Sequence, residues 1–325
     1  MSLPDWARAF GGPLLAARIR TTPADFQVTE DLRFEFTGDG EHDYLWIEKT
    51  GTNTEWLSRQ LAAFAGVPAK DIGYAGLKDR HAVTRQWFSV PRWNTPDWSG
   101  LDVDGVKLLD VQRHSKKLRR GAHKSNAFEI VLRGSDLAHY AAEIEQRIQV
   151  IREKGVPNYF GEQRFGRGGS NLELADAWAK GKRLPRHKRS IAISSVRSFV
   201  FNELLSVRVE KETWDRIQPG DKANLDGTGS VFDVDEVDAE LVRRCETMDI
   251  HPAGELVGDG SETGPAEWLA ALGKARVEKG TRSLRLKVDG LGVRISDDAV
   301  ALTFTLGRGA FATSVLREIA QTTAD

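Results

Sequence analysis

Cysteine is almost missing from this chain: Cys245 stands alone in 325 residues. That excludes an internal disulfide framework and a cysteine-based zinc site, and the seven histidines have no spacing that would replace one. So little cysteine fits a reducing compartment, and a cytoplasmic location is expected. Long apolar runs are missing as well. The opening segment MSLPDWARAFGGPLLAARIR brings an acidic Asp5 and only a brief apolar stretch. Neither a secretory signal nor a membrane span is expected there, and no later stretch is long enough to be one. Internal repeats and low-complexity tracts are also lacking.

An excess of positive charge is the third absence. The 46 Lys and Arg against 47 Asp and Glu give a net charge of −1. Taken globally this argues against a polyanionic partner, but screening confines a charge to about 10 Å, so its distribution matters more than its sum. That distribution is uneven. RHSKKLRRGAHK, from Arg113 to Lys124, holds six Lys or Arg, two His and no acid, and KGKRLPRHKR, from Lys180 to Arg189, is equally one-sided. Acid gathers in DVDEVDAELVRRCETMD, from Asp233 to Asp249. Each basic run alone reads equally well as a solvated face; two of them on a chain without net positive charge tilt the reading towards a polyanion.

At this length the chain is expected to form two domains. DYLWIE (Asp43 to Glu48) and VTRQWFSV (Val83 to Val90) are short, aromatic and β-branched, as strands are. The stretch between them predicts a helix: Thr52 with Glu55 as a capping pair, Trp56, Leu57, Leu61 and Phe64 at helical spacing, and Gly66 as the stop. GYAGLKDR then begins a loop that leads into the second strand, the kind of place where catalytic side chains gather. AFEIVLRG (Ala127 to Gly134) predicts another strand, followed by a helix with Leu137, Tyr140, Ala141, Ile144, Ile148 and Ile151 on one face and Gly155 at its end. Further helices are expected at Ser194 to Leu205 and Pro265 to Leu272, with short strands and turns between them. Antiparallel strands are expected in SLRLKVDGLGVRISDDAVALTFTL and a closing helix in TSVLREIA.

One carboxylate, Asp79, sits in the otherwise basic GYAGLKDRHAVTRQWFSV. In extended backbone its neighbours Lys78 and Arg80 point away from its own face, so its ionic partner has to come from elsewhere. A carboxylate near cations stays ionised and can act as nucleophile or base. Alone, the plainer reading is a surface Asp in a salt-bridged loop. Other segments add to it. Phe26 follows a proline turn, and Glu30 shares its strand parity. Asn126 precedes Phe128 by two, placing an amide and a ring on one strand face. A glycine-rich turn delivers Phe311 to a helix start. Each Phe singly is more often core, and Asn126 singly is equally a turn or cap residue. Together, aromatic faces, an amide and basic runs suit an unstacked nucleobase.

GYAGLKDRHAVTRQWFSV resembles the signature of the TruD family of tRNA pseudouridine synthases. PADFQVTED, KSNAFEI, PNYFGEQRFGRGGSN and GAFATSVLREI match that family's further blocks in order, over nearly the whole chain. The resemblance implies an α+β fold, a mixed and mainly antiparallel pseudouridine-synthase sheet with flanking helices, interrupted by an inserted α+β domain. By motif placement the catalytic domain would be discontinuous, 1–153 and 286–325, with the insert at 154–285. The two basic runs would then give one RNA-facing surface on each. The implied activity is isomerisation of uridine to pseudouridine in tRNA, typically at position thirteen, with no metal and no small-molecule cofactor. The partner is tRNA, no membrane is involved, and a monomer is compatible with the sequence. By position, Asp79 resembles the catalytic aspartate, while Phe26, Asn126 and Phe311 fall where the family contacts the target nucleotide. Arg20, where a basic residue, often Lys, is expected, is one candidate partner for Asp79. Glu30, Lys78 and Phe128 are supporting candidates. For PNYFGEQRFGRGGSN the preferred role is a hinge, with Tyr159, Phe160 and Phe165 as a plug and Arg164 paired to Glu162.

The chemistry asks for these residue types on its own account. Isomerisation breaks an N-glycosidic bond and rejoins the ring through carbon without losing electrons, so one carboxylate suffices. It either attacks the anomeric carbon or takes a proton from C2′ to give a glycal, and the sequence leaves both routes open. A hydrolase would call for a second carboxylate, for which Glu30 is the nearest candidate. Two other readings remain at this stage: a non-catalytic RNA-binding or RNA-folding module, and a nucleosidase that releases free base.

Overall fold

Period-two alternation of apolar residues builds the larger sheet, in a computed structural model that describes residues 3–324. Seven of its strands run in chain order as β1 (Leu15–Ile19), β2 (Phe26–Leu32), β3 (His42–Thr50), β4 (Gly73–Tyr74), β5 (Val83–Pro91), β6 (Val106–His114) and β7 (His123–Arg133). Asp289–Ile295, Ala299–Gly307 and Ala320–Ala324 complete it. The central order is Asp289–Ile295, Ala299–Gly307, β7, β2, β5, β3, β6. Among the described residues only the β2–β5 pairing and that of β1 with Ala320–Ala324 are parallel; the rest are antiparallel. With its helices this is the α+β class expected from the sequence.

The chain divides into two compact units. One holds the residues up to Pro13, Gln149–Val288 and Ala310–Ile319; the other holds Leu14–Ile148, Asp289–Gly309 and the residues from Ala320 on, and so contains the large sheet. Helix α1 (Thr54–Ala65) lies in the sheet unit and packs the fully buried Leu57 and Leu61 against Leu45, Ile47 and Phe88. Its cap is Asn53, whose side chain accepts from the backbone N–H of Glu55 at 2.8 Å and of Trp56 at 3.2 Å. The capping pair expected at Thr52 is displaced by one residue, because Asn53 offers the better-placed acceptor. Trp56 and Phe64, expected on the apolar face, are each 39 % exposed. Gly66 ends the helix at φ 66°, where a side chain would be strained.

Helix α2 (Ala141–Lys154) follows β7. The other unit joins α3 (Ser170–Ala179), α4 (Arg186–Glu210) and the helices Ala239–Glu246 and Ala266–Lys274 to an antiparallel sheet. That sheet is ordered Val231–Asp233, Lys222–Leu225, Ile250–Leu256, Gly280–Ser283. Its core gathers Trp6, Phe165, Phe201 and Trp268. The buried Arg285 guanidinium donates to the carbonyls of Cys245 at 2.7 Å and Ile250 at 2.9 Å. α4 takes in the end of the second basic run and continues past the expected Ser194 to Leu205. The closing helix is shorter than expected, Ala312–Leu316. The residues after it were not foreseen as a strand; Ala320–Ala324 instead extends the large sheet beside β1, where pairing with a neighbour outweighs local helical preference.

Candidate active site

Asp79 sits on the loop between β4 and β5, and the loop is pinned from several directions. The Asp79 carboxylate meets Arg20 at 2.6 Å through one oxygen, and its other oxygen accepts the backbone N–H of His81 at 3.0 Å. Next to it, Lys78 pairs with Glu30 of β2 at 2.7 Å, and Glu30 also accepts the backbone N–H of Trp87 at 3.2 Å. The backbone N–H of Lys78 donates to the Thr54 hydroxyl in the first turn of α1 at 3.0 Å. Gln86 of β5 donates to the Gly76 carbonyl at 3.2 Å. Arg80 turns away and donates to the Gly51 carbonyl. With 29 % of its side chain exposed, Asp79 keeps an open side while its orientation is fixed.

The loop is tied to one face of the sheet. β2 and β7 are antiparallel, and their register sets Phe26 opposite Ile130, Val28 opposite Phe128 and Glu30 opposite Asn126. All six therefore share a face. Phe26 meets Phe128 edge-on at 6.4 Å, and Phe128 stacks on Phe304 at 5.3 Å. The Arg20 guanidinium lies 4.3 Å from the Phe26 ring centre. Arg20 reaches this position from φ 58°, the left-handed region that a side chain seldom occupies, between the end of β1 and the Pro23 turn. The Asn126 amide oxygen is buried and has no hydrogen-bond partner.

Two titratable groups beside the loop escaped sequence reasoning. Lys49 is fully buried, and its ammonium donates to the carbonyls of Thr52 at 2.7 Å and Asp79 at 3.0 Å. Burial lowers its pKa to about 8, with the Asp79 carboxylate opposing and Lys78 adding to the shift. The available signal was its strand parity, since Lys49 shares a face with Leu45 and Ile47. His123, at the start of β7, is buried and pushed down to about 4, first by burial and then by Lys78, Arg308 and Arg33. It is neutral at physiological pH.

Arg20, Phe26, Glu30, Lys78, Asp79, Asn126 and Phe128 thus all belong to the sheet unit. Phe311 belongs to the other unit, where it packs against Phe160 at 5.9 Å. The expected pair of Arg164 with Glu162 is not formed. Arg164 donates to the Ser194 hydroxyl at 2.8 Å, and Glu162 is exposed, because the short helical turn they share points them apart. Among the described residues no group of three or more His, Cys, Asp or Glu is placed to hold a metal ion, and no helix is long and apolar enough to cross a membrane.

Residues 11–175 match the family model described as tRNA pseudouridine synthase D (TruD). A tRNA pseudouridine synthase D of Methylococcus capsulatus is 43% identical, over 98% of this chain and 94% of that protein. One of Hydrogenovibrio crunogenus is 40% identical, over 98% and 97%. A Methanosarcina mazei crystal structure assigned as a tRNA pseudouridine synthase D superposes with a TM-score of 0.75 at 19% identity, covering 98% of each chain, and so shares the fold.

Proposed function

The chain belongs to the tRNA pseudouridine synthase D (TruD) family, and on that premise we propose that it isomerises uridine to pseudouridine in tRNA, at position thirteen, with Asp79 as the reacting carboxylate. The observation that carries the site assignment is the pair of adjacent ion pairs, Arg20–Asp79 and Lys78–Glu30, that fasten the loop to the face bearing Phe26 and Asn126. A reacting group held this way needs little reorganisation when the nucleotide arrives. Phe26 and Asn126 contact the target nucleotide from this face. The unpaired Asn126 amide oxygen suits the N3–H donor of uracil.

In the reaction the bond from the ribose anomeric carbon to N1 breaks and a bond to C5 forms, with the C5 proton lost at the end. Asp79 either bonds to the anomeric carbon or removes the C2′ proton, and Arg20 compensates its charge. Glu30 is not available to activate water, since it is 3% exposed and held by Lys78 and the Trp87 N–H. That supports isomerisation over release of free base. Catalysis is assigned to 1–153 and 286–325, interrupted by the insert at 154–285, with one basic RNA-facing run on each, Arg113 to Lys124 and Lys180 to Arg189. The enzyme works in the cytoplasm without metal or small-molecule cofactor.

Purified protein and its Asp79→Asn variant, incubated with tRNA transcripts, test this by position-resolved mapping of pseudouridine. The wild type should give one modified position, and the variant should bind tRNA yet form no product. Wild-type turnover by the variant overturns the role of Asp79. Free uracil in solution would replace the isomerase by a nucleosidase, and binding without any modified uridine would leave an RNA-binding module.

A further inference from the structure

Arg164 is a half-buried cation without a carboxylate. It donates to the neutral Ser194 hydroxyl at 2.8 Å, and among the described residues it forms no ion pair. Its guanidinium lies 5.4 Å from the Phe160 ring centre and 5.8 Å from that of Phe311. A second guanidinium, Arg282, lies 4.1 Å from the same Phe160 ring and donates to the Asn158 amide oxygen at 2.5 Å. Two cations therefore flank one aromatic cluster within a single unit. Burial lowers both, Arg282 to about 9, with Arg164 adding to the effect on Arg282. Holding the Arg164 charge away from water without a carboxylate is costly, and an arriving anion removes that cost.

Arg164 opens onto a cavity of ≈ 480 Å³ lined by Gln163, Asn171, Ser190, Ser194 and Phe311 as well, with no acidic residue on its wall. Amides and hydroxyls around one guanidinium make a set of neutral donors around a positive centre, the arrangement that receives a phosphate. Ser190 and Ser194 are one turn apart on α4, and Arg186 and His187 lie one turn before Ser190 and Ile191 on the same helix face. The exposed Lys182, Arg183, Arg186, Lys188 and Arg189 precede them. This basic track leading to a cavity fits a chain of phosphates better than one isolated anion.

We infer that this cavity is a subsite for the RNA backbone, in which Arg164 takes one phosphate, Ser194, Asn171 and Gln163 donate to its oxygens, and Phe311 packs against the adjoining nucleoside. The inference rests on the RNA-modifying reading above and adds a second anchoring point, in the unit that does not carry Asp79. Arg164 is thereby a binding residue and not the paired hinge residue expected from the sequence.

The test is the salt dependence of tRNA binding by the full chain. Each phosphate contact contributes about 0.7–0.9 to the slope of log affinity against log salt. Arg164→Gln should lower that slope by roughly one and weaken binding about tenfold at 0.1 M salt. Arg164→Lys should keep the slope. Ser194→Asp supplies Arg164 with an internal carboxylate at a half-buried helix position that opens onto the cavity, and should reproduce the Arg164→Gln loss; it reads the same contact if Arg164→Gln fails to fold. An unchanged slope in a folded Arg164→Gln or Ser194→Asp protein overturns the subsite while wild-type binding and modification stand. Failure of the wild type to bind tRNA at low salt would remove the subsite and the RNA reading together.

Discussion

Arg20 grips Asp79 at 2.6 Å and lays the same guanidinium 4.3 Å from the centre of the Phe26 ring, so a single side chain couples the carboxylate to the aromatic face. Its planar group serves both contacts at once, which an ammonium would not. Arg20→Ala should reduce single-turnover pseudouridine formation about 100-fold with tRNA affinity changed far less. Arg20→Lys should recover part of the rate by restoring the charge without the stack. Equal rates for Arg20→Ala and wild type would show that Asp79 needs no such partner.

Lys49 carries the next expectation, because it holds the carbonyl of Asp79 from beneath. Lys49→Met leaves two carbonyls without a donor and should slow turnover about tenfold by loosening the loop. The pH dependence of stability has a definite sign. The folded protein gives up this proton near pH 8, the unfolded chain near 10.5, so between those values the unfolded chain binds more protons. Stability relative to Lys49→Met should therefore rise with pH across that window. Urea titrations at pH 7.5 and 9.5 measure it.

His123 acts in the acid range. Its folded value of about 4 lies below the ordinary 6.5, so the unfolded chain binds the extra proton between them. The contribution is complete above pH 6.5 and is lost as pH falls towards 4. His123→Gln should flatten that part of the stability curve by about 2 kcal/mol. Parallel curves for variant and wild type would mean that the imidazole keeps its ordinary value of 6.5 in the native state.

Asn53→Ala removes the cap of α1 and should cost about 1 kcal/mol, seen as a lower thermal midpoint. The loop is also at stake, since Thr54, the next residue, holds the Lys78 N–H. A matching loss from Thr52→Ala alone would return the cap to Thr52.

Strand and helix positions around the loop were legible because their periodicities are local. β3, β5 and α1 lie where alternation and the Gly66 stop put them. The tail beyond Leu316 was not legible, since Ala320–Ala324 becomes a strand only when β1 offers an edge. Arg164 was misjudged for a related reason: the nearest acid in the chain, Glu162, suggested a pair that the backbone turn does not allow.

By itself the sequence determined the family blocks, the α+β class and the one carboxylate placed among basic residues, all carried by short stretches of chain. Only the tertiary structure decided which cation meets Asp79, that Lys49 is buried beneath it, that Glu30 is locked, and that Arg164 faces a cavity without an acid. Those facts depend on sheet register and on loops meeting across long separations, and pairing energies over such distances are set by burial and geometry that no local pattern encodes.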